Sequence, residues 1–235
     1  MKIDFTGKVA LVAGGTGGLG RAVSLAFLDE GAKIVVPYHS EKEFDELKRS
    51  AAGRQAHLIG RAVDVLDEAA VAKLVEEVGR IDVLVNTVGG YVGGVELWKL
   101  APADFDRMLN LNLRSGYLLA RAVVPGMLKR GHGAVVNVSA KAAVDHGAGA
   151  SAYAASKAAS LAMMDSLAAD TRGTGVRVNS VLPSIIDTKV NREAMPNAKF
   201  DAWPKPEDIA KVILFLASDA AKVVHGASVT VYGDS

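Results

Sequence analysis

Val9-Ala10-Leu11-Val12-Ala13-Gly14-Gly15-Thr16-Gly17-Gly18-Leu19-Gly20-Arg21 is the stretch that decides the fold. Its first five residues are apolar without alternation, the pattern of a strand buried on both faces. They run into glycines spaced G-x-x-x-G-x-G at Gly14, Gly18 and Gly20, and then into apolar residues at helical spacing from Gly18 to Glu30. A turn of this kind lets backbone approach a pyrophosphate closely, while the helix N-terminus offers N–H donors and a favourable dipole. Gly14, Thr16, Gly18, Leu19 and Gly20 are therefore candidate dinucleotide contacts. A tight strand-to-helix turn alone would also use glycine; the place after the first strand and before an amphipathic helix favours the phosphate reading.

Outward from this unit the same rhythm repeats. Strands are expected at Lys33 to Val36, Arg61 to Val65, Asp82 to Asn86, Ala134 to Val138, Val176 to Val181 and Ser228 to Tyr232. Helical patterns fill Glu41 to Ala52, Glu68 to Val78, Ala103 to Arg130, Ala152 to Thr171 and Glu207 to Ala217. Successive right-handed βαβ crossovers then give one α/β domain over residues 1–235, a Rossmann-type doubly wound parallel sheet of about seven strands with helices on both faces. Lys189 to Pro206 breaks the rhythm with three prolines, and is expected to be a loop covering the substrate.

Composition narrows the function. Half the residues are apolar, 23% are charged and the net charge is +1, so no strong field favours nucleic acid or an anionic membrane. Cysteine is absent and the five histidines lack metal-ligand spacing, so no metal is expected. The N-terminus lacks the basic start and apolar core of a secretory signal, and no apolar run approaches a membrane span; the cytoplasm is the expected compartment.

Other strand ends agree with a dinucleotide. Asp64, with Val65, closes the expected third strand, where its carboxylate would accept from an adenine amino group or cap the next helix. Asn86-Thr87-Val88-Gly89 closes the fourth, and its small residues suit backbone lying against a cofactor. An acid after the second strand would select NAD by binding the ribose 2′-hydroxyl. Here stand Tyr38, His39 and Ser40, with neither acid nor Arg; His39 and Ser40 could bond a phosphate, so the reading leans to NADP over NAD.

Tyr153 and Lys157 stand four apart on one helix face. A nearby ammonium would lower the tyrosine pKa toward working pH, making Tyr153 a proton donor, and Lys157 could also hold the nicotinamide ribose. With the glycine turn, Asn86-Thr87-Val88-Gly89, Asn112, Tyr153-x-x-x-Lys157, and Pro183 with Asp187-Thr188 in order, the chain resembles the short-chain dehydrogenase/reductase family over essentially its whole length. The resemblance implies that Asn112 anchors a water leading to Lys157 and that Thr188 contacts the nicotinamide carboxamide. It extends the cofactor set to Pro183 and Ile186. It also implies a homodimer or homotetramer through Tyr117 to Met127 and Leu161 to Leu167.

One departure matters. The family's catalytic serine stands thirteen residues before the tyrosine, where this chain has Ala140. Ser139 is adjacent, but neighbouring strand residues face opposite sides. A ketone reductase lacking that hydroxyl would forfeit about 2.7 to 4 kcal/mol of oxyanion stabilisation. The chain is similar to the dihydropteridine reductase branch, which also carries alanine there, in Ala140 to Asp145 and in Leu182 to Pro196 with Phe200 and Trp203. Tyr91 stands where that branch has a tryptophan able to stack on a flat pterin. The leading expectation is thus an NAD(P)H-dependent reductase of a small planar acceptor such as a quinonoid dihydropterin, with Tyr91, Ser139, Ala140, His146 and Trp203 near the substrate. The alternatives are a carbonyl reductase or alcohol dehydrogenase, in which Ser139 or water replaces the missing donor, and a nucleotide-binding regulator without turnover.

Overall fold

A computed structural model describes residues 3–235. Its seven strands are β1 (Val9–Ala13), β2 (Lys33–Tyr38), β3 (Leu58–Ala62), β4 (Val83–Asn86), β5 (Gly133–Val138), β6 (Val176–Pro183) and β7 (Ser228–Val231). They form one sheet in the order β3-β2-β1-β4-β5-β6-β7, with every pairing parallel. The order reverses between β1 and β4, the switch point at which such sheets open a crevice beyond their strand ends.

The helices are α1 (Gly18–Asp29), α2 (Glu41–Ser50), α3 (Glu68–Val78), α4 (Pro102–Leu109), α5 (Ser115–Arg130), α6 (Ser151–Asp170), α7 (Lys189–Ala194) and α8 (Pro206–Ala217). Strand residues alternate between the two faces. Val12, Ile34, Val85 and Val136 pack with Val23 and Phe27 of α1 and Ile209 and Ile213 of α8. Leu11, Val35, Leu84 and Val135 pack with Leu74 of α3, Leu119 and Met127 of α5 and Met164 of α6. Each fully buried aliphatic or aromatic side chain contributes about 1.5 to 3 kcal/mol, and the two layers fix the strand ends that carry the site.

Four sequence expectations are corrected. The third strand is Leu58–Ala62, not Arg61 to Val65, because it pairs with Ile34 to Tyr38 of β2; Gly60 at its middle admits the Phe44 ring, which a Cβ there would meet at 2.4 Å. Asp64 lies beyond the strand, where its Oδ1 accepts from Leu66 N–H; Asp67, not Asp64, caps α3. The expected single helix Ala103 to Arg130 is α4 and α5 joined by a π-helical turn, Asn110–Arg114. Lys189 to Pro206 is not structureless, since it holds α7 and a short 3₁₀ turn at Phe200–Ala202.

Candidate active site

The turn after β1 is built around contacts that only glycine allows. Gly14 has φ 75°, and a Cβ on Gly20 would sit 2.0 Å from the Gly14 carbonyl oxygen. A Cβ on Gly18 would meet Thr188 Cγ2 at 2.9 Å, so the residues after β6 close against this turn. The N-cap of α1, Gly17, offers no side-chain cap, and the first turn carries no acid. Its N–H groups and dipole are thus left for an anionic group, and the cradle fits a dinucleotide pyrophosphate.

Beside it, Thr16 donates to the Glu43 carboxylate at 3.1 Å and Tyr38 stacks on Phe44 with ring centroids 4.7 Å apart. His39 Nε2 lies 3.7 Å from Asp64 Oδ1, and the Ser40 oxygen caps α2 by accepting from Glu43 N–H. These groups gather near the ends of β2 and β3. Val65 is buried in the core, which leaves it only backbone to offer a nucleotide.

At the end of β4, Asn86 fixes the next loop. Its Oδ1 accepts from Val88 N–H at 3.2 Å and its Nδ2 donates to Asn137 Oδ1 at 3.3 Å. Asn112, in the π-helical turn, clamps Gly90, accepting from its N–H at 2.9 Å and donating to its carbonyl at 3.1 Å. The other Asn112 Nδ2 hydrogen reaches Ser156 Oγ at 2.9 Å, and Ser156 donates to the Tyr153 carbonyl at 2.8 Å. Both amide hydrogens of Asn112 are therefore spent, and only a lone pair of Oδ1 remains for the water that the resemblance implies. Ser156 was missed in the sequence, although it directly precedes Lys157.

Tyr153 and Lys157 both lie near the start of α6. Lys157 is 6% exposed, and its ammonium donates to the Val138 carbonyl at 3.0 Å. Burial pulls its pKa down to about 8. Burial, and secondly the neighbouring Tyr91, push the Tyr153 phenol up to about 12. The expected lowering of the tyrosine pKa is not found, because Lys157 turns to Val138 and the phenol sits in an apolar setting. Tyr91 is 65% exposed and meets the Tyr153 ring edge to face, with centroids 5.0 Å apart and planes at 78°.

The remaining candidates divide. Ser139 donates to the Lys157 carbonyl at 3.0 Å, so its hydroxyl is committed to the body of α6 and the next residue on the strand end is the methyl of Ala140. His146 Nε2 approaches the Ala143 carbonyl at 3.3 Å. Trp203 is buried against Phe200, with centroids 5.1 Å apart. Pro183 ends β6 beside Val231, Ile186 packs on the core, and Thr188 caps α7 by accepting from Asn191 N–H. Asp187 holds Arg192 through both carboxylate oxygens, and Arg192 lies over the Phe200 ring. A cavity of about 510 Å³ opens between Asp187, Arg192, Pro196 and Phe200. Among the described residues, no cluster of three or more His, Asp or Glu could hold a metal and no helix is long and apolar enough to cross a membrane.

Known proteins are similar to this chain in sequence and fold. The family model described as short chain dehydrogenase matches residues 8–199. The chain is 34% identical to the 3-oxoacyl-[acyl-carrier-protein] reductase FabG of Thermotoga maritima over 97% of each chain. It is also 34% identical to the D-threitol dehydrogenase of Mycolicibacterium smegmatis, covering 99% of this chain and 96% of that one. Among solved structures, a short chain dehydrogenase/reductase family protein superposes with TM-score 0.90 at 33% identity, over 99% of this chain and 98% of that one. ElxO with NADP bound superposes with TM-score 0.89 at 25% identity, over 96% and 97%.

Proposed function

The chain belongs to the short-chain dehydrogenase/reductase family and is an NAD(P)-dependent oxidoreductase of that type, and from this premise we propose that it reduces a small planar acceptor lying over Tyr153. The observation that carries the reading is a half-buried phenol and a buried ammonium on α6, the ammonium close to Gly89 of the β4 loop, whose Thr87 and Val88 lie against the glycine cradle that fits a dinucleotide. Gly14, Gly18 and Gly20 with the N-terminus of α1 would hold the pyrophosphate. Tyr38, His39, Ser40, Thr16 and Asp64 would surround the adenosine, and Val88, Gly89, Ile186 and Thr188 would face the nicotinamide end. When bound, NADPH or NADH supplies the hydride.

The protein's part is the proton. With its pKa near 12, the Tyr153 phenol stays protonated at working pH and can give its proton to the acceptor atom that develops charge. Lys157 spends one N–H on Val138 and keeps two, one of which would hold the nicotinamide ribose; the other would reach the phenolate left after transfer only as the amine turns from Val138. Asn112 is a positioning residue, holding Gly90 on one side and, through Ser156, the backbone of Tyr153 on the other. Tyr91 forms an aromatic wall, and the 189–206 segment covers the acceptor from the side of β6.

Ala140 favours a conjugated acceptor such as a quinonoid dihydropterin, whose reduction needs less oxyanion stabilisation than that of a ketone. The names of the relatives favour a second reading, a carbonyl or alcohol substrate such as a 3-oxoacyl thioester or a sugar alcohol. Exposed Tyr117 and Leu128 on α5 support assembly as a homodimer or homotetramer. The test is NADH and NADPH oxidation with quinonoid dihydropterin, a 3-oxoacyl thioester, simple ketones and quinones. Turnover lost in Tyr153→Phe is expected. Tight dinucleotide binding with no turnover on any acceptor would instead mark a regulator.

A further inference from the structure

We propose that the phenol of Tyr91 is a second hydrogen-bond donor to the reacting atom of the substrate, standing in for the hydroxyl that position 140 lacks. The inference rests on the proposed reductase reading. An acceptor that takes hydride develops negative charge, and a lone donor stabilises it less than a pair does. Tyr153 is one donor, and the groups around it leave few choices for another. Ser139 donates to the Lys157 carbonyl, Asn112 has both amide hydrogens engaged, and His146 is turned to the Ala143 carbonyl. Lys141, next to Ala140, lies over the Tyr232 ring at 5.1 Å.

Tyr91 differs from all of these. Among the described residues its hydroxyl makes no hydrogen bond, its side chain is 65% exposed, and its ring stands against that of Tyr153 with centroids 5.0 Å apart. The two phenols are near enough that Tyr91 contributes to holding the Tyr153 proton on. The loop that carries Tyr91 is held as well. Gly90, the preceding residue, is clamped through both its backbone groups by Asn112, which also reaches Tyr153 through Ser156. One side chain thus sets both phenols, the preorganisation that a pair of donors requires. A Cβ on Gly93 would fall 1.9 Å from the Tyr91 hydroxyl oxygen, so glycine there leaves the room the phenol occupies.

The test uses the full chain and compares wild type, Tyr91→Phe, Ala140→Ser and the double variant on whichever acceptors the wild type reduces. Phenylalanine keeps the aromatic wall and removes only the hydroxyl. The expected result is a fall in kcat of about 10- to 100-fold in Tyr91→Phe with KM changed less than about threefold, and a larger fall on ketones than on a quinonoid dihydropterin. Ala140→Ser should raise kcat at least about tenfold in the Tyr91→Phe background and by a smaller factor in the wild type, since a serine matters most where a donor is missing. Unchanged kcat in Tyr91→Phe, or an equal gain from Ala140→Ser in both backgrounds, would overturn the inference and leave the reductase reading standing. A wild type inert on every acceptor would overturn both.

Discussion

The ammonium of Lys157 donates to the carbonyl oxygen of Val138 at 3.0 Å from a position that water hardly reaches. That bond points the amine along the end of β5, and burial disfavours its charge, so its pKa falls to about 8. Both consequences can be measured, one in stability and one in rate.

In stability, the folded chain releases the Lys157 proton above about pH 8, whereas the unfolded chain holds it to about 10.5. Between these values the unfolded state binds more protons, so this group makes stability rise with pH. Lys157→Met removes the contribution. Its stability relative to wild type should fall by about 3 kcal/mol between pH 8 and pH 10.5, as read by urea unfolding at several pH values. A constant difference would show that the amine is not held charged against burial.

In rate, the Tyr153 phenol keeps its proton to about pH 12, so loss of the acid does not limit reduction at ordinary pH. The Lys157 charge does. Reductive kcat/KM should be flat below about pH 8 and then fall tenfold per pH unit. A profile flat to pH 10 would remove Lys157 from the proton step.

Gly89→Ala tests how closely the β4 loop meets the pair. Its Cβ would lie 2.8 Å from Asn112 Oδ1 and 3.2 Å from Lys157 Nζ. Turnover should drop at least about tenfold for a stability loss of about 1 to 3 kcal/mol, measured by kinetics and denaturant unfolding together.

Ser139→Ala separates scaffold from chemistry. Its hydroxyl bonds the Lys157 carbonyl, so the variant should lose about 1 kcal/mol and keep kcat within about threefold. A collapse of ketone turnover would instead make Ser139 the replacement donor.

The glycine turn, the spacing of Tyr153 and Lys157, and six of the seven strands are legible in the residues because each follows from local chemistry: close approach, one helical face, an apolar run. The displaced β3 was not. At a sheet edge its residues are half exposed, and Gly60, under a ring from α2, breaks the apolar run that would mark it. The turn at Asn110–Arg114 escaped for a similar reason, since apolar periodicity over 103–130 does not register one wide turn. The Tyr153 pKa went the other way from expectation because spacing placed Lys157 near it but could not show the amine turned to Val138.

That wide turn has a consequence for how this protein could lose its activity. A π-helical turn holds one residue more than the α-helix around it would need. Removing one residue between 110 and 114 would let the backbone relax into regular helix with the faces of α4 and α5 kept, but the turn would no longer bulge Asn112 toward Gly90. The Asn112 clamp on Gly90 would then be lost while both hydrophobic layers stayed filled. A single in-frame codon deletion there would leave a folded protein that has gone silent, a route to inactivation that a screen for misfolding would not detect.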